Sequence, residues 1–93
     1  MRNFKQLKIW QKGFEIAVKS LKLAGAFPKE EKYGLTSQVS RASVSIPSNI
    51  AEGSSRSSEK DYKRFLEFSL GSSVELETQL LIADAVNYGD FEL

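Results

Sequence analysis

Apolar residues return every three or four positions along three long stretches of this 93-residue chain, and that period belongs to the α-helix. In the first stretch, about residues 4–24, Phe4, Leu7, Trp10, Phe14, Ala17, Val18 and Leu21 keep the spacing. Gly25 follows directly and Pro28 soon after, a pairing that ends a helix. The second stretch opens at Pro28, whose fixed φ suits a first helical turn, with Glu30 and Glu31 near the positive end of the dipole. Leu35, Val39, Ala42, Ile46 and Ile50 continue it, and Gly53 closes it. After the GSSRSS turn, Ser58 reads as an N-cap with Asp61 in the capping-box position, and a third helix is expected from Glu59 to Val86. Its main face is Tyr62, Phe65, Leu66, Ser69, Ser73, Leu76, Leu80 and Ala83.

Pro47 falls inside the second helix. It removes one backbone hydrogen bond and crowds the Ser43 carbonyl, so a kink is expected there, with Asn49 placed to bond the freed carbonyl. The serines at 37, 40, 43, 45 and 48 are poor helix formers whose small size lets a neighbouring helix approach closely. Packing accounts for them better than nucleophilic catalysis, because no base accompanies them.

Two helices carry more apolar surface than one packed face requires. Ile9, Ile16 and Leu23 form a second row on the first helix, seven residues apart. On the third, Leu70, Val74 and Leu81 form a second row, and Phe68, Ile82 and Val86 a third. A monomer's surface helix needs one apolar stripe, so these rows point to a second contact, either with another helix of the bundle or with a neighbouring subunit, and scattered exposed aliphatics are the alternative. The fold expected on these grounds is all-α: an up-down helical bundle of one domain over residues 1–93. Asn87-Tyr88-Gly89-Asp90 signals a turn, and Phe91-Glu92-Leu93 reads as the start of a further element, so a fourth helix is absent or truncated in this chain.

Charge is segregated behind a net +1. All 13 Lys and Arg lie between Arg2 and Arg64 with six acids, a net of +7, whereas residues 65–93 hold six acids and no base. The two halves either neutralise each other within the bundle or leave a basic face for an anionic partner. The candidate nucleic-acid contacts are Lys5, Lys8, Lys12, Lys19 and Lys22 along the first helix, with Arg56, Lys60, Lys63 and Arg64 around the second turn. No base-reading motif or exposed aromatic platform is evident, so little sequence specificity is expected.

The chain has no Cys and no His. That excludes disulfides and thiolate metal sites, and with them the commonest metal ligand and neutral-pH proton shuttle. No metal, cofactor or catalytic site is expected. No apolar run approaches the roughly 20 residues of a membrane span, and the N-terminus lacks the form of a secretory signal, so a cytoplasmic location is expected.

The segments FKQLKIWQKGFEIA, FPKEEKYGLTSQVSRASVSIPSNIAEGSSR and KDYKRFLEFSLGSSVELETQL resemble the bacterial four-helix-bundle family, also called large-subunit ribosomal RNA intervening-sequence proteins. The resemblance covers nearly the whole chain. Its most specific block runs from Tyr33-Gly34-Leu35 through Arg41-Ala42 to Ser45-Ile46-Pro47-Ser48-Asn49-Ile50-Ala51-Glu52-Gly53. It implies an antiparallel four-helix bundle and a homopentamer. The accessory variability protein of diversity-generating retroelements is similar in fold, and there a basic pentamer engages a reverse transcriptase and nucleic acid.

Within the block, Asn49 and Glu52 share a helical turn and invite a catalytic reading. A lone carboxylate without a partner acid, His or metal is a weak acid–base candidate. A structural role is expected instead for Arg41, Pro47, Asn49, Glu52 and Gly53: Glu52 either pairing with Arg56 if the helix persists or satisfying a buried donor near the Pro47 kink, and Arg41 packed against Glu75 or Glu77. The function expected is a non-enzymatic oligomer that binds RNA or DNA through a basic surface. The alternative is a scaffold for a partner protein with no direct nucleic-acid role.

Overall fold

Ser58 adopts an extended backbone and its hydroxyl accepts the Asp61 N–H at 3.1 Å, so the longest helix begins where the capping signal places it. It ends just as locally. Asn87 takes a left-handed φ of 61°, the Tyr88 N–H returns to the Ala83 carbonyl at 2.9 Å, and the Asn87 N–H to that of Asp84 at 3.0 Å. The computed structural model describes residues 2–89, so Asp90 of the expected turn and residues 91–93 lie outside the described residues. Among those described there are three α-helices and no strand: α1 (Lys8–Ala24), α2 (Leu35–Ser54) and α3 (Glu59–Ala85). At about 1.5 Å per residue α3 alone is about 40 Å long. It accounts for the rod-like extents of 43 × 20 × 20 Å.

The all-α bundle expected from the periodicity is the fold observed, with two shifts near the helix starts. The first helix does not begin at Phe4. Phe4–Gln6 form a single 3-10 turn capped by the Asn3 side chain, and Leu7 is extended before α1 starts. The second does not begin at Pro28. Pro28 precedes a 3-10 turn, Lys29–Glu31, and Gly34 breaks the path before Leu35. Glu31 still serves the α2 N-terminus as its position implies, because its Oε1 accepts the Leu35 N–H at 3.1 Å. Helix α2 carries Pro47 buried in its interior without ending there.

Helix α2 is the axis of the molecule. It packs against α1 on one side and α3 on the other, while α1 and α3 do not come into backbone contact among the described residues. The core follows from this. Val39, Ala42, Ile46 and Ile50 of α2 are buried with Ala24, Phe27, Leu76 and Ala83, and Leu7, Trp10, Leu23, Leu35, Leu66, Leu80 and Tyr88 close around them. The serines behave as packing residues: Ser43 is fully buried, Ser45 hydrogen-bonds Ser72 across the α2–α3 seam at 2.7 Å, and Ser69 donates to the Ile46 carbonyl at 2.9 Å.

The inward line of α1 is the main departure from expectation. Gly13, Ala17, Ser20 and Ala24 are buried, whereas Phe14 is 51% exposed and Val18 and Leu21 are also exposed. A β-carbon on Gly13 would meet Ile46 Cγ2 at 3.2 Å and Pro47 Cα at 3.5 Å. The helices approach so closely that only small residues fit on the contact line. The larger apolar side chains splay to either side of it.

A basic and aromatic end of the bundle as candidate nucleic-acid interface

Antiparallel packing brings the start of α1, the end of α2 and the start of α3 to one end of the rod. Two contacts show it: Arg2 forms an ion pair with Glu59, and its guanidinium lies 4.0 Å from the Tyr62 ring centroid. The same end carries Lys5, Lys8 and Lys12 from the first segment and Arg56, Lys60, Lys63 and Arg64 from the corner and α3, all exposed. Lys19 and Lys22 are exposed but lie along α1 towards the opposite end. At about 100° per residue the α1 lysines fall opposite the buried Gly13–Ala24 line, facing solvent.

Few of these cations are neutralised locally. Among the described residues the ion pairs are Arg2–Glu59, Lys19–Glu15 at 3.0 Å and Arg56–Glu52 at 3.3 Å. The hydrogen bond from Lys19, aided by its charge, holds the Glu15 carboxyl below the usual range. The Arg56–Glu52 pair is the one expected from the i,i+4 spacing.

Aromatic rings organise the arginines, which the sequence reading misses. Arg56 stacks over Phe65 at 4.8 Å and Arg64 over Phe68 at 5.5 Å, beside the Arg2–Tyr62 stack. Phe65 and Phe68 meet edge to face at 5.5 Å. Across the cleft at this end, Phe4 contacts Trp10 at 5.3 Å and Trp10 stacks on Phe14 at 5.2 Å. Tyr62, Phe65 and Phe68 thus sit beneath guanidinium groups instead of standing bare. The Arg64–Phe68 spacing is visible in the sequence as an i,i+4 pair, but Arg2 reaches residues nearly sixty positions away and leaves no local signal.

The family-block residues sit mostly in packing roles. A β-carbon on Gly53 would stand 2.7 Å from Phe65 Cβ, so glycine sets how closely α2 and α3 cross at this end. Asn49 donates its amide to the carbonyl and the hydroxyl of Ser45, both at 2.8 Å. It does not reach the Ser43 carbonyl, because an asparagine side chain at this position reaches back one turn, and Ser45 is four residues before it. Arg41 is exposed and forms no ion pair among the described residues. Glu75 lines a shallow cleft with it, while Glu77 lines a different groove, so the expected packed pair is not formed. At an exposed site such a pair gains little over solvation.

The extra apolar rows remain uncovered. Ile9, Ile16, Leu70, Val74 and Leu81 are exposed, Leu70 at 64% and Val74 at 60%, whereas Leu23 packs against the core. Ile16 faces Leu70, Val74 and Leu81 across a groove of about 650 Å³ floored by Ile46 and Leu76, where α1 and α3 stand apart. Among the described residues, no three acids converge as metal ligands would, and no helix is long and apolar enough to cross a membrane.

Comparison with known proteins places these features in a family. No curated protein matches the chain. The family model described as 23S rRNA-intervening sequence protein matches residues 5–92, almost the whole of it. On that match, and on the helical fold that accompanies it, the chain belongs to the 23S rRNA-intervening sequence protein family.

Proposed function

We propose that this protein is a non-enzymatic, cytoplasmic oligomer that binds RNA or DNA through the basic end of its bundle, with little sequence specificity. One observation carries the reading. The antiparallel fold gathers Arg2, Lys5, Lys8, Lys12, Arg56, Lys60, Lys63 and Arg64 at one end, and only Arg2 and Arg56 among them are ion-paired within the described residues. Clustered cations displace counterions from a phosphate backbone, and a ring of subunits would repeat the patch and multiply the attraction. The family description, which concerns an intervening sequence of 23S rRNA, accords with a nucleic-acid context. A homopentamer is the assembly implied by the family resemblance, and the uncovered rows of α1 and α3 supply apolar surface for it.

The test is salt-dependent retention of RNA or single-stranded DNA by the purified protein. The logarithm of the affinity should fall linearly with the logarithm of salt concentration, and Lys8→Glu with Lys12→Glu should weaken binding and flatten that slope. Absence of binding at low ionic strength overturns the reading. The same uncovered apolar rows favour a second one, a scaffold for a partner protein. A single stoichiometric protein partner, retained after charge reversal on α1, would replace the first reading by the second.

A further inference from the structure

The basic end contains more than charge. Between the Phe4 turn and the α2–α3 corner lies a cleft of about 650 Å³, walled by Phe4 and Phe65, with Asn49 and Glu52 lining it and Arg2 at its rim. A second hollow of about 570 Å³ shares Arg2 and Ser55 with the first and adds Arg56 and Ser57. The two compartments differ in chemistry: one is aromatic-walled, the other is lined by two guanidinium groups and two hydroxyls. Volumes of this order suit a small organic ligand.

The polar groups are held in place. Arg2 is fixed between the Tyr62 ring and the Glu59 carboxylate, and Arg56 between the Phe65 ring and the Glu52 carboxylate. One terminal nitrogen of each guanidinium serves its carboxylate, which leaves the remaining N–H groups to meet a phosphate. Asn49 is committed as well. Its amide nitrogen is spent on the carbonyl and hydroxyl of Ser45, and its carbonyl oxygen forms no hydrogen bond among the described residues. Glu52 spends one carboxylate oxygen on Arg56. The cleft thus combines flat apolar walls and acceptor oxygens with a cationic rim.

We infer that this cleft seats one unstacked nucleotide of a single-stranded nucleic acid, with the base against Phe4 and Phe65 and the adjoining phosphate between Arg2 and Arg56. The inference rests on the nucleic-acid reading above and narrows it. A duplex keeps its bases stacked and offers the cleft only a backbone, whereas a single strand can turn a base out onto aromatic and guanidinium planes. Acceptors facing the base favour one whose edge carries N–H donors.

The experiment is fluorescence anisotropy with a labelled single-stranded RNA and its duplex of equal length, read on the whole protein. Two kinds of variant keep the net charge: Arg56→Lys and Arg2→Lys at the rim, and Phe4→Leu on the wall. The wild type should bind the single strand more tightly than the duplex. Each variant should weaken single-strand binding by about tenfold, as loss of one stacking contact does, and duplex binding by much less, because the charge is kept, so the preference for the single strand narrows. Thermal melts confirm the fold, and the two arginine variants, at exposed or rim positions, decide the matter where Phe4→Leu is unstable. If the charge-preserving variants bind the single strand as the wild type does, while Lys8→Glu with Lys12→Glu weakens it, the cleft proposal is overturned and the basic-surface reading stands. A wild type that prefers duplex also overturns the cleft. A wild type that binds neither at low salt removes the surface reading and the cleft together.

Discussion

A β-carbon at Gly53 would press on Phe65 Cβ at 2.7 Å, on Tyr62 Cδ1 at 3.2 Å and on the Tyr62 carbonyl at 3.3 Å, and none of these is the free end of a flexible chain. Gly53→Ala should therefore force α2 from α3 and cost about 1–3 kcal/mol, in line with other overpacked seams. In a domain of this size each kcal/mol lowers the melting midpoint by about 4–8 °C, which calorimetry resolves. Gly71 supplies the contrast, since nothing stands within 4 Å of a β-carbon there. Gly71→Ala should raise stability by about 0.5–1 kcal/mol, because alanine restricts the unfolded helix segment and meets no neighbour. A sequence shows six glycines of equal appearance. Which ones mark a close crossing depends on residues far along the chain. The same limit hid the role of Arg2, whose partners Glu59 and Tyr62 become neighbours only once the helices fold back.

Among the elements, α3 was the most legible, because one period and two local caps fix it from end to end. The starts of α1 and α2 were less so: Leu7 and Gly34 interrupt the helical path without disturbing the apolar period. The inward face of α1 is not legible in the apolar period, because hydrophobicity marks large side chains, whereas the closest helix approach selects small ones. Between elements, the far end of the rod is tied by Tyr88. Its ring packs on Phe27 at 5.8 Å and its hydroxyl donates to Glu31 Oε2 at 2.6 Å, while Glu31 Oε1 caps α2. The Tyr88 hydroxyl first, then the Leu35 N–H, holds the Glu31 carboxyl below the usual carboxylate range. A carboxylate lowered on folding stabilises the fold above its unfolded pKa, and that contribution disappears as pH falls through the folded value. The Tyr88 phenol is shifted upwards, chiefly by donating to Glu31. Its contribution is complete below the unfolded phenol pKa and is lost as pH rises through the folded one. Melting midpoints measured against pH should therefore fall at both the acid and the alkaline extreme. Tyr88→Phe should lower the plateau and flatten both limbs, and Glu31→Gln should remove the acid dependence due to this carboxyl. Curves identical to wild type would show that the tie contributes nothing.

At the scale of the whole molecule, the uncovered apolar rows make assembly the expectation to test. Ile16→Glu or Val74→Glu places a charge on the groove between α1 and α3, and either should disperse the oligomer in light scattering. A wild type that is already monomeric would defeat the assembly reading and leave the basic end unaffected. The placement of α2 between the other helices has a consequence of a different kind. Order along the chain and order in space coincide: α1 touches α2, α2 touches α3, and α1 and α3 do not meet among the described residues. Most native contacts therefore close across short loops, and chains with such local topology fold in microseconds to milliseconds. The exceptions include Arg2 with Glu59 and Tyr62, and Tyr88 with Glu31 and Phe27, contacts that span 57 residues or more and fasten the two ends of the rod. These are the contacts with most chain to close, so they form last, once the third helix has docked. A chain built this way can zip in the order of its synthesis, so if it assembles as proposed, subunit encounter and not folding is the slow step.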